Sequence, residues 1–132
     1  ISASADVYIE AKDGNVSVNS DVSAGELYID TSGDVSTNSA TLSANTLELN
    51  ASNANISTSI DSLEVKNIND LSLSNDKNLT ISNISSTGDI VISANNIISD
   101  NSEINASSVS LSATGDIGSS DANLVVNSDN LT

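Results

Sequence analysis

Residues 27–65 read LYIDTSGDVSTNSATLSANTLELNASNANISTSIDSLEV. Short apolar–polar–apolar triplets recur in this stretch: Leu27-Tyr28-Ile29, Leu47-Glu48-Leu49 and Leu63-Glu64-Val65. Strict alternation is the pattern of a β-strand that buries one face. The runs are too short for amphipathic helices, and the Ser, Asn, Asp and Thr residues between them are poor helix formers. The stretch therefore predicts short strands with one buried side.

The triplets occur in pairs along the chain. The pairs start at residues 7, 27, 47, 63 and 79, with spacings of 20, 20, 16 and 16 residues, and then near 97, 109 and 124. A period in this range, with two or three short strands, is that of one turn of a β-solenoid, whose turns bury apolar residues only by stacking. We therefore expect residues 1–132 to form a single all-β segment, a right-handed parallel β-helix of about seven to eight turns that lies inside a longer rod.

The common register predicts which side chains point inward and which point outward. The expected core residues are Val7, Ile9, Leu27, Ile29, Leu47, Leu49, Leu63, Val65, Leu79 and Ile81. One outward column contains Tyr8, Tyr28, Glu48, Glu64 and Thr80, and the column two residues further along begins with Glu10 and Asp30. Tyr8 and Tyr28 are the only aromatic residues. Exposed on a rod, they would contact a sugar or another chain, or pack against one another across two turns.

The composition excludes several classes of function. The net charge is −15, from 18 acidic residues and three lysines, with no Arg, His or Cys. Such a chain is unsuited to nucleic acid or to anionic lipid surfaces. No run of 18 apolar residues exists, so we expect no membrane insertion. A disordered acidic chain is the competing class, but the regularly spaced Val, Ile and Leu residues favour a folded core.

Paired carboxylates are the only candidates for chemistry. Glu48 with Glu64, or Glu10 with Asp30, would supply an acid and a base, but the usual His base and Arg clamp are missing. We expect a solvated acidic face, with no catalytic or cofactor-binding residues and no enzymatic activity. Calcium is the one ion to consider, because it takes hard oxygen ligands and because stacked acids repel without a cation. The same four acids are its weak candidates, since the glycine-rich calcium repeat is absent.

Seven Asn-x-Ser/Thr sequons occur in the chain, at Asn15, Asn50, Asn55, Asn78, Asn83, Asn105 and Asn130. With 19 Asn residues and with 37 Ser and Thr residues among 132, chance predicts 19 × 37/132, or about five. The excess is too small to predict glycosylation.

Three segments carry a resemblance to a known family. Residues 86–90 read STGDI and residues 111–119 read LSATGDIGS, followed by LVVNSDNL at residues 124–131. This style resembles the repeats of filamentous-haemagglutinin-type large exoproteins, closely over residues 79–132 and loosely elsewhere. The resemblance implies a two-partner-secretion adhesin: an extracellular rod on the bacterial cell surface that serves cell adhesion or biofilm cohesion.

The partners expected for such a rod are a glycan or protein of a host or bacterial surface, or other copies of itself. Two further functions remain open at this point. One is an extracellular filament assembled through calcium-bridged lateral contacts. The other is a polysaccharide-acting β-helix enzyme, for which the chain offers neither an Arg nor a long loop.

Overall fold

The computed structural model describes all residues from Ile1 to Thr132, and the chain is built from β-strands with no helix. The strands are β1 (Val7–Ala11), β2 (Val16–Ser17), β3 (Val22–Ser23), β4 (Glu26–Thr31), β5 (Asp34–Ser36), β6 (Leu42–Asn50), β7 (Asn53–Ile68), β8 (Asp70–Asn75), β9 (Leu79–Ser86), β10 (Asp89–Ala94), β11 (Ile97–Ser99), β12 (Glu103–Asn105), β13 (Ser108–Ala113), β14 (Val125–Asn127) and β15 (Asn130–Leu131).

All strand pairs are parallel, and they stack as a solenoid of about seven turns. The first face of the solenoid holds β1, β4, residues 46–50, residues 62–68, β9, β11, β12 and β14. The second face holds β2, β5, residues 53–58, β8, β10, β13 and β15. A third face is short, with β3, residues 42–44 and residues 58–60. The predicted all-β parallel solenoid is therefore confirmed.

The core runs along the inside of the stack as one cluster of 29 buried apolar residues. Eight of the ten predicted core residues are buried, while Val7 and Ile9 are half-buried and pack against the cluster. The difference follows from pairing, because β1 pairs only with β4 and is covered on one side. Alternation thus identified the inward side chains correctly.

The register of the later turns differs from the predicted one. Leu63 pairs with Ile81, whereas Leu79 pairs with Ile97, so Ile81 continues the column that was predicted to pass to Leu79. Thr80 correspondingly pairs with Ser62 and not with Glu64. The physical reason is that a shift of two residues leaves inward side chains inward, so alternation cannot distinguish two neighbouring apolar residues on one strand.

The turns predicted to start near residues 109 and 124 start elsewhere in the structure. Val109 pairs with Ile90 and with Leu131, so it lies on the second face within the turn that begins at Ile97. The chain returns to the first face at Ile117, which bridges to Ile97, and β14 at residues 125–127 then pairs with β12. Apolar triplets of the two faces look alike in sequence, so their spacing alone did not separate a second-face strand from a new turn.

The corners that lead into the second face require close approach between turns. A Cβ atom at Gly33 would collide with the carbonyl oxygen of Gly14 and the side chain of Asn15 one turn earlier. The following residue, Asp34, donates its backbone N–H to Asn15 Oδ1 at 2.9 Å. The Gly-Asp step therefore lets two turns meet and then fastens them, and the same arrangement recurs at Gly88, followed by Asp89.

Candidate functional site

The outer side of the first face carries the predicted candidate residues. Tyr8 pairs with Tyr28, Tyr28 with Glu48 and Glu48 with Glu64, so these four residues form one axial column. The neighbouring column runs from Glu10 to Asp30 and then to Asn50. Because alternate residues of a strand share a face, the two columns lie side by side on the same surface.

The two tyrosine rings stack on one another. Their centroids are 4.4 Å apart and their planes differ by 4°. This distance is close to the ~4.8 Å spacing of neighbouring strands, so the stack runs along the rod axis. Tyr8 is 71% exposed and Tyr28 is half-buried. The rings therefore turn their edges outward and cover each other's facing surfaces, which favours a cross-turn packing pair over a platform for the face of a sugar ring.

Tyr28 is additionally held by a carboxylate. Its hydroxyl donates a hydrogen bond to Glu26 Oε2. This hydrogen bond raises the pKa of Tyr28 above its ordinary value, with smaller contributions from burial and from neighbouring acidic groups. The phenol, which is protonated at neutral pH, donates this hydrogen bond and so holds the ring against Glu26.

The four calcium candidates do not converge on one point. Asp30 accepts a hydrogen bond from Asn50 Nδ2 at 2.8 Å, and Glu48 pairs with Lys66 Nζ at 2.6 Å. Glu10 and Glu64 have no ion-pair partner. The structure contains no group of three or more His, Cys, Asp or Glu side chains that could hold a metal ion. The acids pair along the rod axis, Glu10 with Asp30 and Glu48 with Glu64, and one acid of each pair bonds to another side chain.

The ion pair between Lys66 and Glu48 was not predicted from the sequence. A register shift after Leu49 places Asn67 opposite Asn50, so Lys66 is the extra residue of a bulge. Its ammonium then reaches Glu48, and the hydrogen bond to this carboxylate raises the pKa of Lys66. The only sequence signal for this ion pair was one basic residue among the acids of residues 61–70.

A polar groove of about 410 Å³ lies at the corner beside Glu10 and Asp30. It runs across several turns, and apart from two alanines its lining is polar: Glu10, Lys12, Asp30, Thr31, Ser32, Asn50, Ser52, Asn67 and Asn69. Several of these groups are already engaged, because the hydroxyls of Thr31, Ser32 and Ser52 donate to backbone carbonyls of neighbouring turns. Much of the lining therefore holds the stack together.

The sequons have a structural role in most turns. The side-chain oxygens of Asn15, Asn78, Asn83 and Asn105 accept hydrogen bonds from the following turn, and Asn50 donates one to the preceding turn. Asn side chains bond up and down a stack of strands in this manner. Hydrogen bonding between neighbouring turns therefore explains why Asn residues are abundant in this chain.

A stack of Asn and Asp side chains, one per turn, borders the second face. It contains Asn15, Asp34, Asn53, Asp70 and Asp89, and we call it the Asx column. Asn53 donates to Asp34 at 2.8 Å, and the N–H of Asp89 donates to Asp70 Oδ1 at 2.8 Å. The recurring Gly-Asp steps at Gly33 and Gly88 were the sequence signal for it.

The outer side of the second face is uncharged beyond the Asx column. Two further axial columns, which we call the serine face, contain Asn55, Ser72, Val91 and Ser110 in one column and Ser57, Ser74, Ser93 and Ser112 in the other. Val91 is 46% exposed at its centre. A groove of about 620 Å³ runs between the Asx column and the first of these columns.

Comparison with protein-family models, with curated proteins and with solved structures finds no match to this chain. The structure has no helical segment that could span a membrane.

Proposed function

We propose that this chain is a structural stalk segment of a secreted bacterial surface adhesin or biofilm-matrix exoprotein, acting by cell attachment or cohesion. The observation that carries the proposal is the uninterrupted stack: each turn pairs in parallel with the next from β1 to β15. A solenoid of this kind is quasi-one-dimensional, so its length grows with the number of turns while its width stays constant. Such a shape holds a distant group away from a surface.

The surface chemistry supports an extracellular rod. The net charge of −15 keeps long rods soluble, and the absence of Cys suits a chain that is exported before it folds. The Thr-Gly-Asp-Ile segments that resemble filamentous-haemagglutinin-type exoproteins include the Gly88-Asp89 step, which fastens one turn to the next. The partners proposed are a surface glycan or protein, or other copies of the rod, and neither nucleic acid nor the membrane interior.

The polysaccharide-acting alternative has little geometric support. Glu48, one of the two acids in its column, is paired with Lys66. Asp30, one of two acids in the neighbouring column, accepts a hydrogen bond from Asn50. Neither carboxylate is left free to act with a partner as acid and base on one bond. We therefore propose no enzymatic activity and no catalytic residue.

A surface-display experiment tests the stalk function. The chain is placed between a cell-surface anchor and a terminal peptide tag, and cells are captured by a tag-specific antibody under flow. Removing residues 27–46 deletes one turn, because Leu27 pairs with Leu47 and the junction keeps every face aligned. A stalk predicts that capture falls moderately with each turn removed and is unaffected by the outward changes Glu48→Gln and Glu64→Gln.

The same preparation tests the enzymatic alternative. Purified chain is incubated with polygalacturonate, with and without calcium, and new reducing ends and unsaturated products are measured. The stalk proposal expects none. Turnover that disappears in Glu48→Gln or Glu64→Gln would overturn it.

A further inference from the structure

The second face offers a surface on which two like-charged rods can meet. At the level of β8 the outward residues are Asp70, Ser72 and Ser74, and at the level of β10 they are Asp89, Val91 and Ser93. These two levels therefore have an acid at one margin, a small or apolar residue in the middle and a hydroxyl at the other margin. The alternate residues between them, such as Leu71 and Ile90, are buried in the core.

The charge of the chain indicates the kind of partner for this surface. A cationic partner would gain most from the acidic columns of the first face, where carboxylates such as Glu10 and Glu64 are unpaired. A partner that is itself strongly acidic is repelled least at a surface whose middle and far columns carry no charge. With a net charge of −15, a second copy of this chain is such a partner.

The arrangement is also self-complementary under two-fold symmetry. If the two-fold axis runs parallel to the rods and passes between their middle columns, strands of the two copies run antiparallel across the interface. The middle residue then faces its own copy, and the acid at one margin faces the hydroxyl at the other. Isologous contacts of this type require the same patch on both subunits.

We propose that a second copy of this chain packs on the serine face, with the two rods side by side and pointing in the same direction. Ser74 donates a hydrogen bond to the carboxylate of Asp70 in the other copy, and the contact repeats reciprocally. Ser93 does the same to Asp89, whose carboxylate accepts no hydrogen bond within its own chain. Val91 meets Val91 of the other copy and buries its exposed surface there.

The size of the contact sets its strength. Four levels of ~4.8 Å and a width of about five residues at ~3.3 Å give roughly 300 Å² per copy. This area is below the ~800 Å² per partner of a stable complex. The association of this segment is therefore weak and reversible, and it strengthens with the number of turns that adjoin. The inference deepens the cohesion part of the proposed function and rests on it, whereas a stalk that acts alone does not require it.

Cysteine cross-linking tests the geometry, because the chain has no native Cys. Ser72→Cys places a thiol near the two-fold axis, and Ser85→Cys places one at an exposed position on the first face. In ~0.15 M NaCl, where charges are screened beyond about 8 Å, purified chain is oxidised mildly and covalent dimers are followed by gel. We expect Ser72→Cys to dimerise about tenfold faster than Ser85→Cys, because the interface raises the effective thiol concentration.

A charge substitution tests the proposed interface independently of cross-linking. Val91→Glu would place two carboxylates against each other on the axis, whereas Val125→Glu adds the same charge at a residue of equal exposure on the first face, 47% against 46%. Sedimentation equilibrium should show a loss of dimer of about tenfold for Val91→Glu and little change for Val125→Glu, because only the first variant places like charges opposite each other across the interface.

Two results would overturn the interface. Equal cross-linking of Ser72→Cys and Ser85→Cys would mean collision without a specific face, and equal effects of the two glutamate variants would mean general repulsion. Unchanged circular dichroism in all four variants keeps either result interpretable. Failure of the interface would leave the capture experiment on the stalk unaffected, so the two proposals fail separately.

Discussion

The side-chain amide of Asn75 pairs with the backbone of Ile60 as a β-strand would. Asn75 Oδ1 accepts the N–H of Ile60 at 2.9 Å, and Asn75 Nδ2 donates to the carbonyl oxygen of Ile60 at 3.0 Å. The third face ends here, since residues 58–60 are its last strand. Asn75 is 5% exposed, and its amide also bonds Thr58 and the carbonyl of Lys77. The buried amide of Asn75 thus satisfies the backbone groups at the open edge of the third face.

Replacement of Asn75 by Ala should destabilise the chain strongly. The substitution leaves both the N–H and the carbonyl of Ile60 without a partner, at a cost of roughly 2 kcal/mol or more. Asn55→Ala is the matched control, because Asn55 is exposed, and we expect a change within about 0.5 kcal/mol. Urea unfolding followed by circular dichroism measures both. Similar midpoints for the two variants would show that the amide is not needed at the ladder edge.

The two sides of a strand should respond differently to a new charge. Leu47 is fully buried, so Leu47→Asp places an unpaired carboxylate in the core and should cost at least about 3 kcal/mol. Ser72→Asp adds the same charge on the outside and should cost little in dilute solution. Hydrogen exchange should locate the damage of Leu47→Asp in the adjoining turns, because turns interact mainly with their neighbours. Equal effects on melting would contradict the assigned faces.

The inward side chains could be predicted from sequence because alternation in Leu27-Tyr28-Ile29 and similar triplets directly reports a buried face. The column from Tyr8 to Glu64 followed from the spacings of the first four turns. Beyond Leu63 the same reasoning failed, because Leu79 and Ile81 satisfy the pattern equally well and only packing selects Ile81.

The polar contacts were less predictable than the core. A polar residue such as Asn75 has no periodic signature, and its burial becomes evident only when the third face ends beside it. The bulge that turns Lys66 towards Glu48 is likewise a property of the three-dimensional register. The serine face is built from residues that are the commonest in the chain, so their alignment in two columns is visible only in the stack.

The tyrosine pair predicts a distinct titration. In a Tyr8→Phe background Tyr28 is the only phenol, and its absorbance change should occur at a higher pH than that of free tyrosine, because the hydrogen bond to Glu26 raises its pKa. The folded-state pKa is raised, so the stabilising contribution is complete below the ordinary tyrosine pKa and is lost as pH rises through the folded value. Adding Glu26→Gln should return the titration towards the ordinary range. An unchanged titration would show that the hydrogen bond to Glu26 does not raise the pKa of Tyr28.

Salt should distinguish two ways in which the rods cohere. Contact through the serine face needs only screening of the −15 charge, so NaCl and CaCl₂ at matched ionic strength should raise light scattering equally. Extra association in CaCl₂ that is lost in Glu10→Gln with Asp30→Asn would instead favour filaments with calcium-bridged contacts. The control is Asp100→Asn with Asp129→Asn, which removes the same charge at two exposed acids outside the calcium candidates. No association in either salt would leave a spacer that does not cohere.

The central claim is that the chain is a stack whose length is set by its number of turns. Small-angle scattering of three proteins tests it most directly: the chain itself, the chain lacking residues 27–46, and the chain with residues 27–46 duplicated. Because Leu27 pairs with Leu47, each change removes or adds one whole turn. The account predicts equal steps of ~4.8 Å in maximum dimension with an unchanged cross-sectional radius. A change in cross-section, or the same length in all three proteins, would contradict it.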